Sequence, residues 1–108
     1  MLYALTFYVP EDRCEGVKTA LFKKGAGRYN KYDCCAWQVK GEGQYRPLKG
    51  SNPYLGKEGA IERAAEYKVE CICDESVLKD VIKELIAVHP YEEVAYSVWE
   101  VKTLRDIN

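Results

Sequence analysis

The chain predicts an α+β sandwich of the ferredoxin-like type, with two helices on one face of an antiparallel sheet. Three observations carry this expectation. Two apolar stripes recur at helical spacing, and each is preceded and followed by a run of aromatic and β-branched residues. The chain therefore reads as two βαβ halves within 108 residues, the length of one domain spanning 1–108. A stop signal, His89-Pro90, joins the second helix to the last strand.

The elements follow in order. Residues 2–9, Leu-Tyr-Ala-Leu-Thr-Phe-Tyr-Val, are rich in strand-forming types and end at Pro10. The apolar start lacks a basic region and a small-residue cleavage site, so it reads as a first strand and not as a signal peptide. Glu11-Asp12 opens a helix over about 11–23, with acids in the dipole-favoured first turn and Val17, Ala20 and Leu21 at helical spacing. Gly25-Ala26-Gly27 stops it, and residues 28–32 read as a loop. Cys34–Lys40 reads as a strand. Gly41-Glu42-Gly43 reads as a turn, with a return strand over 44–46 that ends at Pro47. An extra hairpin and irregular loop thus occupy 41–59.

Residues 61–74 form a long extended segment, with Tyr67, Val69, Cys71 and Cys73 on one face and Glu66, Lys68 and Glu70 on the solvated one. Asp74 or Ser76 caps the next helix. Val77, Leu78, Val81, Ile82, Leu85 and Ile86 give its apolar stripe, and Pro90 ends it near Val88. Val94–Val101 is the last strand. One sheet face remains for a partner subunit to cover.

Charge and cysteine usage exclude several function classes. The net charge of −1 leaves no basic excess to neutralise phosphates, which argues against a nucleic-acid partner. No apolar run approaches the roughly 20 residues of a membrane span. The five cysteines are odd in number and form no CxxC pair, so zinc-knuckle and thioredoxin readings fail. They read as reduced, small apolar residues of a cytoplasmic protein.

The only imidazole sits beside two acids, in His89-Pro90-Tyr91-Glu92-Glu93. Three readings stand side by side. His89 can cap carbonyls at the helix end while the acids bond amides or cations of the 40–57 loop. The corner can form a small-molecule or metal pocket. Or His89 can act as a general base oriented by Glu93. Imidazole and carboxylate suit zinc, iron or manganese, so a divalent metal ion on His89 and Glu93 is the one candidate cofactor. A closed site would need further ligands. Tyr45, Arg46, Tyr91, Glu92 and Glu93 join His89 as candidate ligand-binding residues. The loops at 25–30 and 41–47 match neither phosphate-binding motif. Surface tyrosines at 29, 32, 45 and 54 suit an interface better than a ligand platform.

Several segments together resemble one known family. They are Gly25-Ala-Gly-Arg-Tyr29, Tyr32-Asp-Cys-Cys35, Gly41-Glu-Gly-Gln-Tyr-Arg-Pro47, Asn52-Pro-Tyr-Leu-Gly56, Gly59-Ala-Ile-Glu62 and His89-Pro-Tyr-Glu-Glu-Val-Ala-Tyr96. In this order they resemble the domain inserted in YqfO-type proteins of the Nif-three-like family, described as GTP cyclohydrolase I type 2 homologues. The resemblance runs from about Tyr3 to Trp99. It implies a CutA-like or PII-like version of the ferredoxin-like fold, and trimers with sites between subunits. The dinuclear metal ligands of the larger family lie outside this domain, so no residue here inherits them. Val94 stands where proline is common, and Cys35 where serine is common, which bears on local rigidity.

The reading that follows is a non-catalytic, homo-oligomeric binding or regulatory module, a trimer by preference. Its ligand is a small molecule, an anion or a metal, held by the corner at 89–93 and the 41–46 loop. The alternatives are a divalent-metal-binding protein, a minor hydrolase using His89 with Glu92 or Glu93, and a structural partner subunit of another protein.

Overall fold

In the computed structural model, which describes residues 1–108, four strands form one antiparallel sheet with both helices on one face. The strands are β1 (Leu2–Pro10), β2 (Trp37–Tyr45), β3 (Glu62–Asp74) and β4 (Tyr96–Val101), and the helices are α1 (Cys14–Lys23) and α2 (Glu75–Val88). The sheet order β2-β3-β1-β4 places β1 and β3 at the centre. This is the ferredoxin-like α+β sandwich the two apolar stripes predict. No helix is long and apolar enough to cross a membrane.

The strand register decides which residues meet the helices. Leu5 pairs with Cys71, Phe7 with Val69, and Val9 with Tyr67, and directly opposed residues share a face. Leu5, Phe7, Val9, Val69, Cys71 and Cys73 are buried beneath Val17 and Leu21 of α1 and Val81 and Leu85 of α2. Burial pushes the Cys71 thiol up to about 12 and the Cys73 thiol up to about 11, so both stay protonated at neutral pH. Ile86, read from its spacing as part of the stripe of α2, is exposed. Val77, Leu78, Val81, Leu85 and Val88 already complete the buried face, and Ile86 lies a full 100° per residue beyond Leu85. Asp74 caps α2 by accepting from the Ser76 amide at 2.9 Å.

Four sequence expectations are corrected. Gly41-Glu42-Gly43 is no turn: β2 runs unbroken from Trp37 to Tyr45, with Gly41 opposite Glu66 and Gly43 opposite Ala64. Gly43 serves a close approach, since a Cβ there would fall within the Glu66 carboxylate, whereas a Cβ at Gly41 would meet open space. The extra hairpin therefore does not exist, and residues 46–61 are the long connection between β2 and β3. Strand β2 also starts three residues later than expected, because Cys34 adopts a left-handed conformation with φ 56°. The first helix begins as a 3-10 turn at Glu11–Arg13 before the α-helix starts at Cys14. Finally, Glu66 lies on the expected face but is only 8% exposed, unlike Lys68 and Glu70 beside it.

The face opposite the helices is mixed, with apolar residues around the charged row of Lys68 and Glu70 on β3. Leu2, Ala4 and Tyr8 of β1 share it with Ile72 of β3, Trp37 and Val39 of β2, and Trp99 and Val101 of β4. Trp37 is 60% exposed and Trp99 66%.

Candidate functional site

Where α2 ends, Pro90 forces His89 into an extended conformation, φ −72° and ψ 138°, and the chain turns across the ends of β1 and β3. The turn drives the His89 ring inward, where it is 6% exposed. Its Nε2–H donates to the Tyr8 carbonyl at 2.7 Å, and its Nδ1 accepts from the Tyr91 amide at 3.1 Å. Both ring nitrogens are therefore engaged, which fixes the neutral tautomer. Burial pushes the imidazole below its ordinary value of 6.5. The Tyr8 carbonyl and the Glu66 carboxylate pull weakly the other way, and Arg13 acts with burial.

Tyr91, pinned by that contact, reaches across the sheet edge. Its hydroxyl donates to Glu66 Oε2 at 2.7 Å. Its ring stands 6.0 Å from Tyr45 and 6.1 Å from Tyr54, inclined at 60° and 51°. Burial, then the hydrogen bond to Glu66 and its negative charge, raise the Tyr91 phenol far above its ordinary range. Glu92 accepts from the Asn52 amide with both oxygens, at 3.1 and 2.9 Å, and so ties the loop over 46–61 to the corner. The Tyr45 hydroxyl donates to the Leu55 carbonyl at 2.7 Å and fastens the same loop from β2.

Between loop and corner lies a cavity of about 520 Å³. Tyr45, Arg46, Tyr91, Glu92 and Glu93 all line it. His89 does not: it lies behind Tyr91 as a support, with no free nitrogen to offer a metal or a substrate. The structure does not bring His89 and Glu93 together at the cavity wall, and no group of three or more His, Cys, Asp or Glu side chains is placed to hold a metal ion. The same saturation removes His89 as a general base. Arg28 sits far from this corner, at the opposite end of the sheet. There it lines a separate cavity of about 680 Å³ with Asp74 and Arg105.

Glu66 is the residue that sequence reasoning missed. Alternation assigned it to the solvent face with Lys68 and Glu70, and that face is indeed the one opposite the helices. Tyr91 closes over it there. The signal was the glycine at 43, whose missing side chain leaves the space that Glu66 fills.

Comparison with known proteins supports the ancestry these segments suggest. The chain is 40% identical over 98 residues to the GTP cyclohydrolase 1 type 2 homolog of Halalkalibacterium halodurans, covering 91% of this chain and 26% of that protein. The Bacillus subtilis protein of the same name is 41% identical over 101 residues, covering 94% and 27%. The chain thus spans about a quarter of the length of the curated relatives it matches. No family model matches it. A solved Bacillus cereus protein related to NIF3 superposes with a TM-score of 0.81 at 33% identity, over 94% of this chain and 26% of that one. The periplasmic divalent cation tolerance protein CutA from Archaeoglobus fulgidus superposes at 0.69 and 17% identity, over 95% and 86%, which establishes a shared fold. The chain is a CutA-like ferredoxin fold homologous to one segment, about a quarter in length, of the NIF3-related GTP cyclohydrolase 1 type 2 homologs.

Proposed function

We propose that the 108 residues act as one non-catalytic binding module, which holds a small molecule in the cavity between the loop over 46–61 and Tyr91–Glu93. The observation that carries this reading is the Tyr91–Glu66 hydrogen bond at the cavity wall. A polar pair is kept largely out of water there at the edge of an open, tyrosine-lined space, which is the usual composition of a ligand site. Tyr45, Arg46, Tyr91 and Glu93 contact the ligand, while His89 and Glu92 hold the frame. No nucleophile and base stand together in this cavity, so a cyclohydrolase or hydrolase step is not assigned to these residues. Amide NMR spectra recorded against a panel of nucleotides, amino acids, amines and divalent salts test the reading. At least one compound is expected to shift the signals of Tyr45, Arg46 and Tyr91–Ala95 together, and Tyr45→Ala should abolish those shifts. A panel that moves no signal in this cavity overturns it.

The open sheet face favours self-association as a second property of the module, in a cytoplasmic setting and with a trimer as the preferred state. Two tryptophans and a valine stand exposed on this β-surface, Trp37 and Val39 on β2 and Trp99 on β4, on either side of the Lys68–Glu70 ion pair of β3, and large exposed aromatics of this kind are enriched at protein interfaces. Light scattering coupled to gel filtration should give a multiple of the chain mass, and Trp99→Glu should return it to the monomer. A monomeric wild type at high micromolar concentration rules the association out.

A further inference from the structure

We propose that the cavity over Glu66 takes an organic ammonium ion, an amine whose apolar body lies against the tyrosine rings. This narrows the small-molecule reading above and rests on it. Charge is the first ground. Glu66, Glu92 and Glu93 line the cavity against one cationic side chain, Arg46. Glu92 is already committed to the Asn52 amide, but Glu66 and Glu93 form no ion pair with any side chain of the protein.

Burial makes the Glu66 carboxylate the unusual member. It is 8% exposed, and one oxygen accepts from Tyr91. The other oxygen has no protein donor. No side-chain oxygen is both fully enclosed and unpartnered, so this one keeps some solvent access, and Glu66 lines the cavity. A carboxylate held mostly out of water with a single neutral donor is poorly compensated, and a cation in the cavity would compensate it. Aromatic walls are the second ground. Tyr45 and Tyr54 flank Tyr91 at inclined angles and do not stack flat upon it, and Tyr8 also lines the space. Tyrosine faces attract weakly hydrated organic cations. A divalent metal would need a ligand set that is not assembled here. An anion would meet a net negative wall. A primary ammonium has three donors, so one can go to Glu66 while others remain for Glu93 or water.

Isothermal titration calorimetry on the full chain tests the charge requirement with four probes of similar size: benzylamine, benzyltrimethylammonium, benzyl alcohol and benzoate. The two cations are expected to bind about tenfold or more tightly than the alcohol and benzoate. Glu66→Gln keeps an acceptor for Tyr91 and removes the charge. It should weaken the cations about tenfold without lowering the melting temperature. Tyr54→Ala, at an exposed ring, should weaken them as well, and stands in should Glu66→Gln not fold. Equal binding of benzoate or benzyl alcohol, or a cation affinity indifferent to both substitutions, overturns the ammonium assignment and leaves the small-molecule site intact. Absence of binding by either cation up to millimolar concentration also overturns the assignment, while the wider NMR panel judges the site itself.

Discussion

Replacing His89 by alanine is expected to destabilise the chain by about 3 kcal/mol, read from urea denaturation. The cost has two sources. The Tyr8 carbonyl and the Tyr91 amide each lose a partner 2.7 and 3.1 Å away, in a place where water enters poorly. The ring, which packs at 4.9 Å from that of Tyr91, also leaves a void. His89→Gln retains a donor and an acceptor and should recover part of the loss. A surface histidine serving only as a ligand would give no change in stability for either variant.

The same residue sets a pH dependence whose sign follows from its burial. The folded state holds the imidazole neutral below its ordinary value of 6.5, whereas the unfolded chain takes up a proton there. The contribution is therefore fully present above about pH 6.5 and is lost progressively as the pH falls through the lowered folded value. Stability measured from about pH 7.5 down to 5 should decline in the wild type. It should decline less in His89→Gln, which has nothing to titrate in that window. Equal slopes would show that carboxylates, not His89, carry the acid sensitivity.

The second large effect is expected at Phe7. Phe7→Ala should cost about 3–5 kcal/mol, a large fraction of the roughly 5–15 kcal/mol that holds a small domain together. Phe7 is wholly enclosed on central strand β1, between Val69 of β3 and Tyr96 of β4 in register. It belongs to the core shared with Val81 and Leu85. Both neighbouring strands are fixed by pairing, so the site cannot collapse to fill the void. Tyr8→Ala, one residue on, truncates a ring that is already 38% exposed on the opposite face and should cost roughly half as much or less. Chemical denaturation of the two variants side by side checks the contrast. Similar losses would mean that the helices do not cover the face on which Phe7 lies.

These two residues also mark how far the sequence could be read. Period-2 and period-3.6 patterns reflect the burial of whole faces, and burial is what the fold minimises. Two helices, four strands in order and the helices' common face were accordingly legible, with one surplus strand at 44–46, as was the end of α2 at Pro90. The corner at 89–93 was legible as a place of interest, because a lone imidazole between a helix and a proline is conspicuous. The loop contact of Glu92 was foreseen as one of the open readings. Its partner, the Asn52 amide, lies 40 residues away and carries no local signal.

What tertiary structure alone decided is which way the corner's side chains face. His89 reads as the chemical centre in sequence, yet its ring turns inward to bond β1, because the chain must cross the strand ends immediately after Pro90. Glu66 reads as one solvated acid in an alternating strand. It becomes the buried carboxylate of the cavity because Gly43, paired on the neighbouring strand, leaves room and Tyr91 closes over it. Gly41-Glu42-Gly43 reads as a turn from composition and is a strand, because missing side chains permit close approach as readily as reversal. Sequence by itself determined the periodic burial that makes a ferredoxin-like sandwich. The site was decided by three segments distant in the chain, 43–46, 66 and 89–93, whose meeting depends on register and crossing, and no local pattern encodes either.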